Sequence, residues 1–427
     1  MKILVTGAGG FIGSHVVRAL RHVGHEVICC GRNKQRLLQL FPDCSAVEAD
    51  FSCTWTLEQW LPILKDIAVV VNAAGIIQEH GPNTFSRVHR DGPIELFKAA
   101  QQAGVRRVVQ ISALGADGAA TTAYHQTKKA ADDFLANLPI EWIILRPSIV
   151  YGAGARSQEF FAALAALPFI PLVGDGSQRI QPVWIKDLVA AVMKLVEPGA
   201  PNRQHIDVVG PEPISIKAYL EMLRSWLGLS RTRALPIPLG LVRAMGRVGS
   251  LFRLEFVDAS TVSMLCRENI GDPRPLARVL GTSPHSCAAA LLEIPYRQAD
   301  GWHAGLYFLR PLLRISIATV WLAAGVLSLC AFPQQESEAL LIRTGVSPWM
   351  APPVLMGTSV LDIGLGLATL FRWRPALVLG FQLILIATFS GIIALSLPEF
   401  WVHPFGPLVK NGPLFVGTLM LLAMERK

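Results

Sequence analysis

Apolar residues follow two regimes along the chain, and the change falls near residue 311. Before it, short apolar runs alternate with stretches whose apolar positions recur at helical spacing. The opening stretch "MKILVTGAGGFIGSHVVRALRHVGHEVICCGRN" begins with an apolar strand, followed by a glycine turn, an amphipathic helix and a second strand, "EVICC". Val16, Val17, Leu20 and Val23 keep to one helical face, and Gly24 ends the helix. Further strands are predicted at "SAVEADF", "AVVVNAAG", "RRVVQISALGA" and "IEWIILRPSIVYG", with helical stretches such as 93–103 between them. Strands alternating with helices predict an α/β fold, a doubly wound parallel sheet with ligands at the C-terminal ends of its strands. Residues 150–300 carry amphipathic stretches and prolines, which suit a small substrate-capping subdomain. Within them "LPIPLGLVRAMGRVGSLFRL" reads as a core helix with snorkelling arginines or as a helix on a membrane surface.

After residue 311 the pattern is that of a bilayer. No charge occurs from 315 to 335 or from 375 to 398, and Asp362 is the sole charge between 344 and 371. Four transmembrane helices are expected, at about 315–333, 350–371, 375–397 and 411–424, as an all-α bundle. Asp362 is a possible functional residue, because an ionisable group inside a span costs about 2.5–3.5 kcal/mol to insert. The alternative is a carboxyl near the interface, satisfied by Thr358 or Ser359.

Composition sharpens this division. Of the 427 residues 52% are hydrophobic and 16% charged, too few charges for an ordinary soluble enzyme. The net charge of +8 has no dense basic run behind it, "RTR" at 231–233 being the nearest, so nucleic acid is not an expected partner. Basic residues instead flank the apolar runs: Arg310 and Arg314, Arg372 and Arg374, Arg426 and Lys427. The opposite loops carry the mixed set Glu336, Glu338, Arg343, Glu399 and Lys410. The positive-inside rule then places the front domain and the C-terminus in the cytoplasm of a bacterial inner membrane. Seven cysteines without a C-x-x-C or a metal-ligand spacing point to a reducing compartment and to no metal. No secretory signal is expected ahead of the first strand.

The glycine turn supplies the first chemistry. Gly7 permits a sharp turn, Gly10 lets backbone N–H groups approach a pyrophosphate, and Gly13 lets helix and strand pack closely. The end of the second strand, "CCGRNKQR", lacks the acid that accepts from an NAD ribose. Arg32 can pair with a 2′-phosphate there, so NADP(H) is preferred over NAD(H).

The stretches "TGAGGFIG", "NAAG", "ISALGA", "YHQTK" and "LRPSIVYGAG" together resemble the extended and atypical short-chain dehydrogenase/reductase superfamily of NAD(P)-binding Rossmann domains, which is NAD-dependent epimerase/dehydratase-like. With "PLVGDGSQRIQPVWIKDLVAAV" and "LPIPLGLVRAMG", the chain is similar to the branch of the NDUFA-nine-type accessory subunit of respiratory complex I. The resemblance implies that Gly7, Gly10, Phe11 and Ile12 line the pyrophosphate. It puts Asp50 and Phe51 at the adenine, Ala73, Ala74 and Gly75 at the adjoining ribose, and Pro147 with Ile149 on the nicotinamide side. It also implies a catalytic set of Ser112, Tyr124 and Lys128. In that set Lys128 holds the nicotinamide ribose and lowers the phenol pKa, Tyr124 passes a proton to or from a carbonyl oxygen, and Ser112 orients that oxygen. His80 and His89 border the expected substrate mouth, or are solvated loop histidines.

Residues 311–425, through "RISIATVWLAAGVLSL" and "HPFGPLVKNGPLF", are similar to the DoxX-like family of four-helix membrane proteins, some of which are linked with quinone-dependent oxidation. The expected organisation is an NAD(P)-binding domain over 1–300, a linker over 301–310 and a transmembrane domain over 311–427. The expected function is a membrane-anchored NAD(P)H-dependent oxidoreductase acting by hydride transfer. Its substrate would be an apolar, quinone-like or lipid carbonyl or alcohol, its surroundings the lipid bilayer, and an oligomer or protein partner is possible. The alternatives are a non-catalytic dinucleotide-binding assembly or sensor subunit, and an epimerase that retains its cofactor.

Overall fold

The computed structural model describes all residues except 54, 243, 245–267, 405 and 426–427. Arg426, Lys427 and most of the stretch 235–254 therefore lie outside the described residues. The start of that stretch belongs to a strand, Ala234–Ile237, paired with Ile170–Val173. The chain divides into two compact units, Met1–Ala304 and Gly305–Lys427.

The first unit is built on a seven-stranded sheet. From one edge its strands are Gln204–Val208, Glu141–Pro147, Arg107–Ile111, Val69–Asn72, Lys2–Thr6, Glu26–Gly31 and Ser45–Glu48. Every pairing is parallel. Val69–Asn72 and Arg107–Ile111 are buried along their whole length, as expected of strands covered on both faces. The order reverses at Lys2–Thr6, whose neighbours are the second strand on one side and Val69–Asn72 on the other. A crevice opens beyond the strand ends at such a reversal, and ligands of doubly wound sheets bind there.

Two helices bring side chains to that crevice. Phe11–His22 follows the first strand and buries Val16, Val17 and Leu20 against the sheet. Ala123–Ala136 follows Arg107–Ile111, with the Thr122 hydroxyl capping its start by accepting from His125 N. The fully buried Arg107 ties the sheet to its cover, because its guanidinium meets Glu141 and the carbonyls of Leu195 and Ala200.

Among the described residues of the second unit three helices are long and apolar enough to cross a membrane, Leu309–Cys330, Pro348–Leu370 and Pro375–Ser396. The fourth expected span is the helix Asn411–Glu425, of 15 residues. At 1.5 Å per residue it reaches about 22 Å, short of the ~30 Å hydrocarbon core. The first span begins at Leu309 rather than 315, which brings Arg310 and Arg314 into the helix. A polar helix, Gln334–Arg343, fills the connection after it. Residues 301–310 are helical for most of their length, with Gln298–Leu306 covering the first part and the next helix starting at Leu309.

Candidate active site

The glycine turn is a place where side chains do not fit. Gly7 has φ +64°, and a Cβ there would lie 2.6 Å from the Ala73 carbonyl oxygen. A Cβ on Gly13 would lie 2.2 Å from the Gly7 carbonyl oxygen. Both neighbours are backbone and cannot yield, so these two glycines permit the first strand, the following helix and the segment 73–75 to converge. Gly10 caps Phe11–His22 without a side chain, which leaves the N–H groups of the first turn, at Phe11 and Ile12, facing out of the helix start. Oriented backbone donors at a helix N-terminus suit a pyrophosphate, and the cradle fits a dinucleotide.

The residues expected to flank the dinucleotide are held by backbone and core contacts. Ala73 N donates to Thr6 O, and Ala74 N lies 3.4 Å from the Asn72 carboxamide oxygen. Asp50 accepts from Ser52 N at 2.9 Å. The Phe51 side chain is packed in the core, edge-on to Trp60, so only its backbone is left to face the crevice. Pro147 O accepts from Leu114 N, and Ile149 O accepts from Val183 N, which fixes the strand that leaves the sheet there. Arg32 is exposed at the end of its strand and donates to Asn83 at 3.2 Å. One acid stands nearby: Glu48, in register with Gly31, accepts from Lys34 N at 3.4 Å.

A buried polar row runs under the strand ends. Thr6 and Asn72 are sheet neighbours, as are Asn72 and Gln110. The Thr6 hydroxyl donates to the Asn72 oxygen at 2.5 Å, and the Asn72 amide donates to Gln110 at 2.7 Å. This pairing satisfies polar groups that would otherwise be costly to bury.

Tyr124 and Lys128 occupy one face of their helix, as the four-residue spacing predicts. Lys128 is buried and donates to the Ile111 carbonyl at 3.1 Å. A Cβ on Gly75 would lie 3.7 Å from its ammonium, so Lys128 borders the segment expected at the ribose. Burial lowers the Lys128 pKa to about 8, although the Asp132 carboxylate pulls it upward. Tyr124 is packed edge-on to Phe85, His89 and His125. Its ring centroid lies 5.7 Å from the Lys128 ammonium. Its pKa is pushed up to about 12 by burial. The expectation that Lys128 depresses it is therefore reversed: desolvation of the phenolate outweighs the cation.

Ser112 behaves differently from the expected substrate-facing hydroxyl. It is buried and donates to Asp132 at 2.5 Å. Asp132 is fully buried, its second carboxylate oxygen has no hydrogen-bond partner among the described residues, and burial raises its pKa to about 6. Asp132 follows Lys128 by one helical turn, a spacing that would have flagged it beside Tyr124 and Lys128.

His89, expected at a mouth or in solvent, is buried and joins the site. Ile76 N donates to its Nε2 at 3.0 Å, which leaves the ring proton on Nδ1, 3.4 Å from the Thr127 hydroxyl. Burial and the nearby Lys128 ammonium lower its pKa to about 2, so the imidazole is neutral. His80 is exposed, bridged to Asn83 through the backbone. In the second unit Asp362 lies within Ala351–Leu370, and one of its carboxylate oxygens is buried without a hydrogen-bond partner among the described residues. No group of three or more metal-ligating side chains occurs among the described residues.

Residues 3–209 match the NAD dependent epimerase/dehydratase family, and residues 318–419 match the DoxX-like family. The chain is 25% identical over 289 residues to the mitochondrial NADH dehydrogenase [ubiquinone] 1 alpha subcomplex subunit 9 of Arabidopsis thaliana, covering 62% of this chain and 71% of that one. It is 27% identical over 193 residues to a ceramide reductase of Caulobacter vibrioides, covering 45% of this chain and 59% of that one. Among solved structures, the UDP-glucuronic acid 4-epimerase of Bacillus cereus, in complex with UDP-glucuronic acid and NAD, superposes with a TM-score of 0.54 at 21% identity. That match covers 72% of this chain and 100% of the epimerase and shows the shared fold. The chain thus carries an epimerase-like, short-chain-dehydrogenase-like NAD-binding domain over residues 3–209 and a DoxX-like domain over residues 318–419.

Proposed function

We propose that this protein is a membrane-anchored NADPH-dependent oxidoreductase that reduces a carbonyl or quinone-like group on an apolar, membrane-associated substrate. The observation that carries the reading is the Tyr124–Lys128 pair, with Lys128 fixed to Ile111 O beside Gly75 at the end of the sheet. Gly7, Gly10, Phe11, Ile12 and Gly13 would hold the pyrophosphate, and Lys128 the nicotinamide ribose. Bound NADPH supplies the hydride that a carbonyl carbon accepts. Tyr124 gives its phenolic proton to the carbonyl oxygen, which leaves an alcohol, and the Lys128 ammonium offsets the charge remaining on the ring. A phenol whose pKa burial pushes up to about 12 is protonated at neutral pH and has the proton to give.

The substrate class is supported by the fused apolar helices and by the likeness to a ceramide reductase. A cavity of about 250 Å³ follows the Pro147–Tyr151 segment, with an apolar wall at Trp226 and Ile294 and charged groups at Glu159 and Arg297. A mixed lining of this kind suits an amphipathic ligand. Arg32, and the absence of an acid at the C-terminal end of the strand it follows, support NADP(H). The basic flanks of the apolar helices support a cytoplasmic dinucleotide domain on a bacterial inner membrane.

A second reading is a dinucleotide-binding assembly or sensor subunit without turnover. It is favoured by the Ser112 hydroxyl, which is spent on Asp132 rather than directed at a substrate. One experiment separates the two. Full-length protein in detergent is incubated with NADPH deuterated at the transferable position and a membrane lipid extract, with Tyr124→Phe as control. Deuterium in an extract component, delivered by the wild type alone, supports the reductase. Bound NADPH with no label transferred supports the sensor.

A further inference from the structure

One end of the helical unit gathers more positive charge than it neutralises. Glu425, at the end of Asn411–Glu425, has a side chain only 2% exposed. Three arginines from two segments converge on it. Arg310 and Arg314 come from the first turns of Leu309–Cys330, and Arg372 from the turn that joins Ala351–Leu370 to Pro375–Ser396. Arg310 and Arg372 each lie 3.2 Å from the carboxylate, and Arg314 is in direct contact with it. At the other end of these helices Arg343 pairs with Glu399 one to one.

The stoichiometry is unbalanced. A guanidinium carries five N–H donors, while a carboxylate offers about four acceptor sites. Three guanidiniums therefore retain most of their donors after Glu425 is satisfied, and the cluster keeps two net positive charges. Arg310 and Arg372 remain 38% and 45% exposed, so those donors are accessible. The connecting turn is shaped to present them: Arg372 and Arg374 adopt left-handed backbone angles, φ +58° and +39°, which side-chain-bearing residues seldom take. Arg374 lies against the Trp373 ring at 5.6 Å. Around the cluster Phe371, Trp373 and Leu312 expose 70%, 63% and 59% of their surface. Exposed aromatic rings beside a cationic helix end are the arrangement found at the headgroup level of a bilayer.

We propose that Arg310, Arg314 and Arg372, spaced by Glu425, form a binding site for a phosphate group, supplied by an anionic phospholipid whose body lies along Phe371 and Trp373. Guanidinium groups bind phosphate through paired N–H···O bonds, and three of them from two segments would tie those segments together. Glu425 acts as an internal counter-ion that holds the arginines in place when no phosphate is bound.

The test uses full-length protein in nanodiscs of phosphatidylcholine alone, or of phosphatidylcholine with phosphatidylglycerol, each with and without inorganic phosphate. Thermal unfolding and lipid retention by native mass spectrometry are the readouts. Phosphatidylglycerol is expected to raise the midpoint and to co-purify, and Arg310→Gln/Arg372→Gln is expected to lose both effects. Because that variant also weakens the ion cluster, Glu425→Gln is the companion. It keeps all three arginines and should depend more strongly on phosphatidylglycerol than the wild type. Arg374→Gln removes one positive charge from the same turn without touching Glu425 and should respond as the wild type does. Stabilisation by inorganic phosphate alone would keep the site and assign it to a soluble phosphate. Equal behaviour in both lipid compositions, or a Glu425→Gln protein no more dependent on phosphatidylglycerol than the wild type, would overturn the proposal.

Discussion

The Ser112 hydroxyl donates its proton to the Asp132 carboxylate at 2.5 Å, and both groups are buried. A hydroxyl has one proton to give, so this serine cannot donate to a substrate oxygen while the bond holds. Its effect passes instead through Asp132 to Lys128, one helical turn earlier. The Asp132 carboxylate raises the Lys128 pKa against the lowering effect of burial, and the balance is about 8. Asp132→Asn removes the upward pull, so Lys128 should lose its charge at a lower pH. Dinucleotide affinity, followed by NADPH fluorescence across the range around pH 8, should fall as Lys128 deprotonates, and should fall earlier in the variant. A break at the same pH in both proteins would detach Asp132 from Lys128.

The same two groups predict how stability depends on pH. The Lys128 pKa is about 8 folded and about 10.4 unfolded. Between those values the unfolded chain binds the extra proton, so stability should rise with pH, by roughly 3 kcal/mol from this residue. Asp132 has the opposite sign. It titrates at about 6 folded and about 3.9 unfolded, so the folded chain binds the extra proton between these values and stability should fall as pH rises through that window. Denaturant melts of the wild type and of Lys128→Met should differ on the alkaline side. Parallel curves there would mean that Lys128 keeps its ordinary pKa.

Tyr124→Phe keeps the ring against Phe85, His89 and His125 and removes only the phenolic proton. Hydride transfer to a carbonyl should drop by about 10²–10⁴-fold, the usual worth of a positioned acid, while NADPH affinity stays unchanged. Single-turnover transfer of deuteride and equilibrium binding measure the two quantities separately. A variant that transfers label as fast as the wild type would show that the proton comes from elsewhere.

Much of this arrangement is legible in the sequence because it is local. The glycine spacing, the strand–helix alternation and the four-residue step from Tyr124 to Lys128 each lie within one or two turns of chain. The partners of Ser112 and His89 are not local. Asp132 is twenty residues from Ser112, and Ile76 is thirteen from His89; only packing brings them together. The sign of the Tyr124 shift is likewise a property of its surroundings, since three rings and a helix decide how far the phenolate is desolvated. In the second unit, hydropathy marks four apolar runs and shows the last, 411–424, to be short, but it does not reveal that the first helix begins at Leu309 and takes in Arg310 and Arg314. Nor does it reveal that Glu425 gathers three arginines.

Cofactor choice turns on Arg32, exposed at the end of its strand and bonded to Asn83. A 2′-phosphate would replace a neutral amide partner with a charged one, which is worth about 1.5–3 kcal/mol. Arg32→Ala should therefore weaken NADPH binding by about 10–100-fold and leave NADH nearly unaffected. The ratio of the two dissociation constants is the measurement. Equal loss for both dinucleotides would point to a general role for the charge, and no loss would leave Glu48, beside Gly31, as the group that faces the ribose.

Two glycines set the distance between the first pair of apolar helices. A Cβ on Gly325 would lie 2.5 Å from the Ser359 carbonyl oxygen, and one on Gly366 would lie 2.6 Å from the Leu322 side chain. Helices in a bilayer associate through close packing of this kind, since lipid competes equally well for larger apolar side chains. Gly364, on the same helix, has no such neighbour within 4 Å. Gly366→Ala should therefore force the two helices apart at a cost of about 1–3 kcal/mol. Gly364→Ala should be neutral or gain up to about 1 kcal/mol from reduced chain entropy in the helix. Thermal unfolding of full-length protein in detergent, followed by far-ultraviolet circular dichroism, compares the two on one scale. Similar midpoints for both variants would mean that the crossing at Gly366 is looser than the Leu322 contact requires.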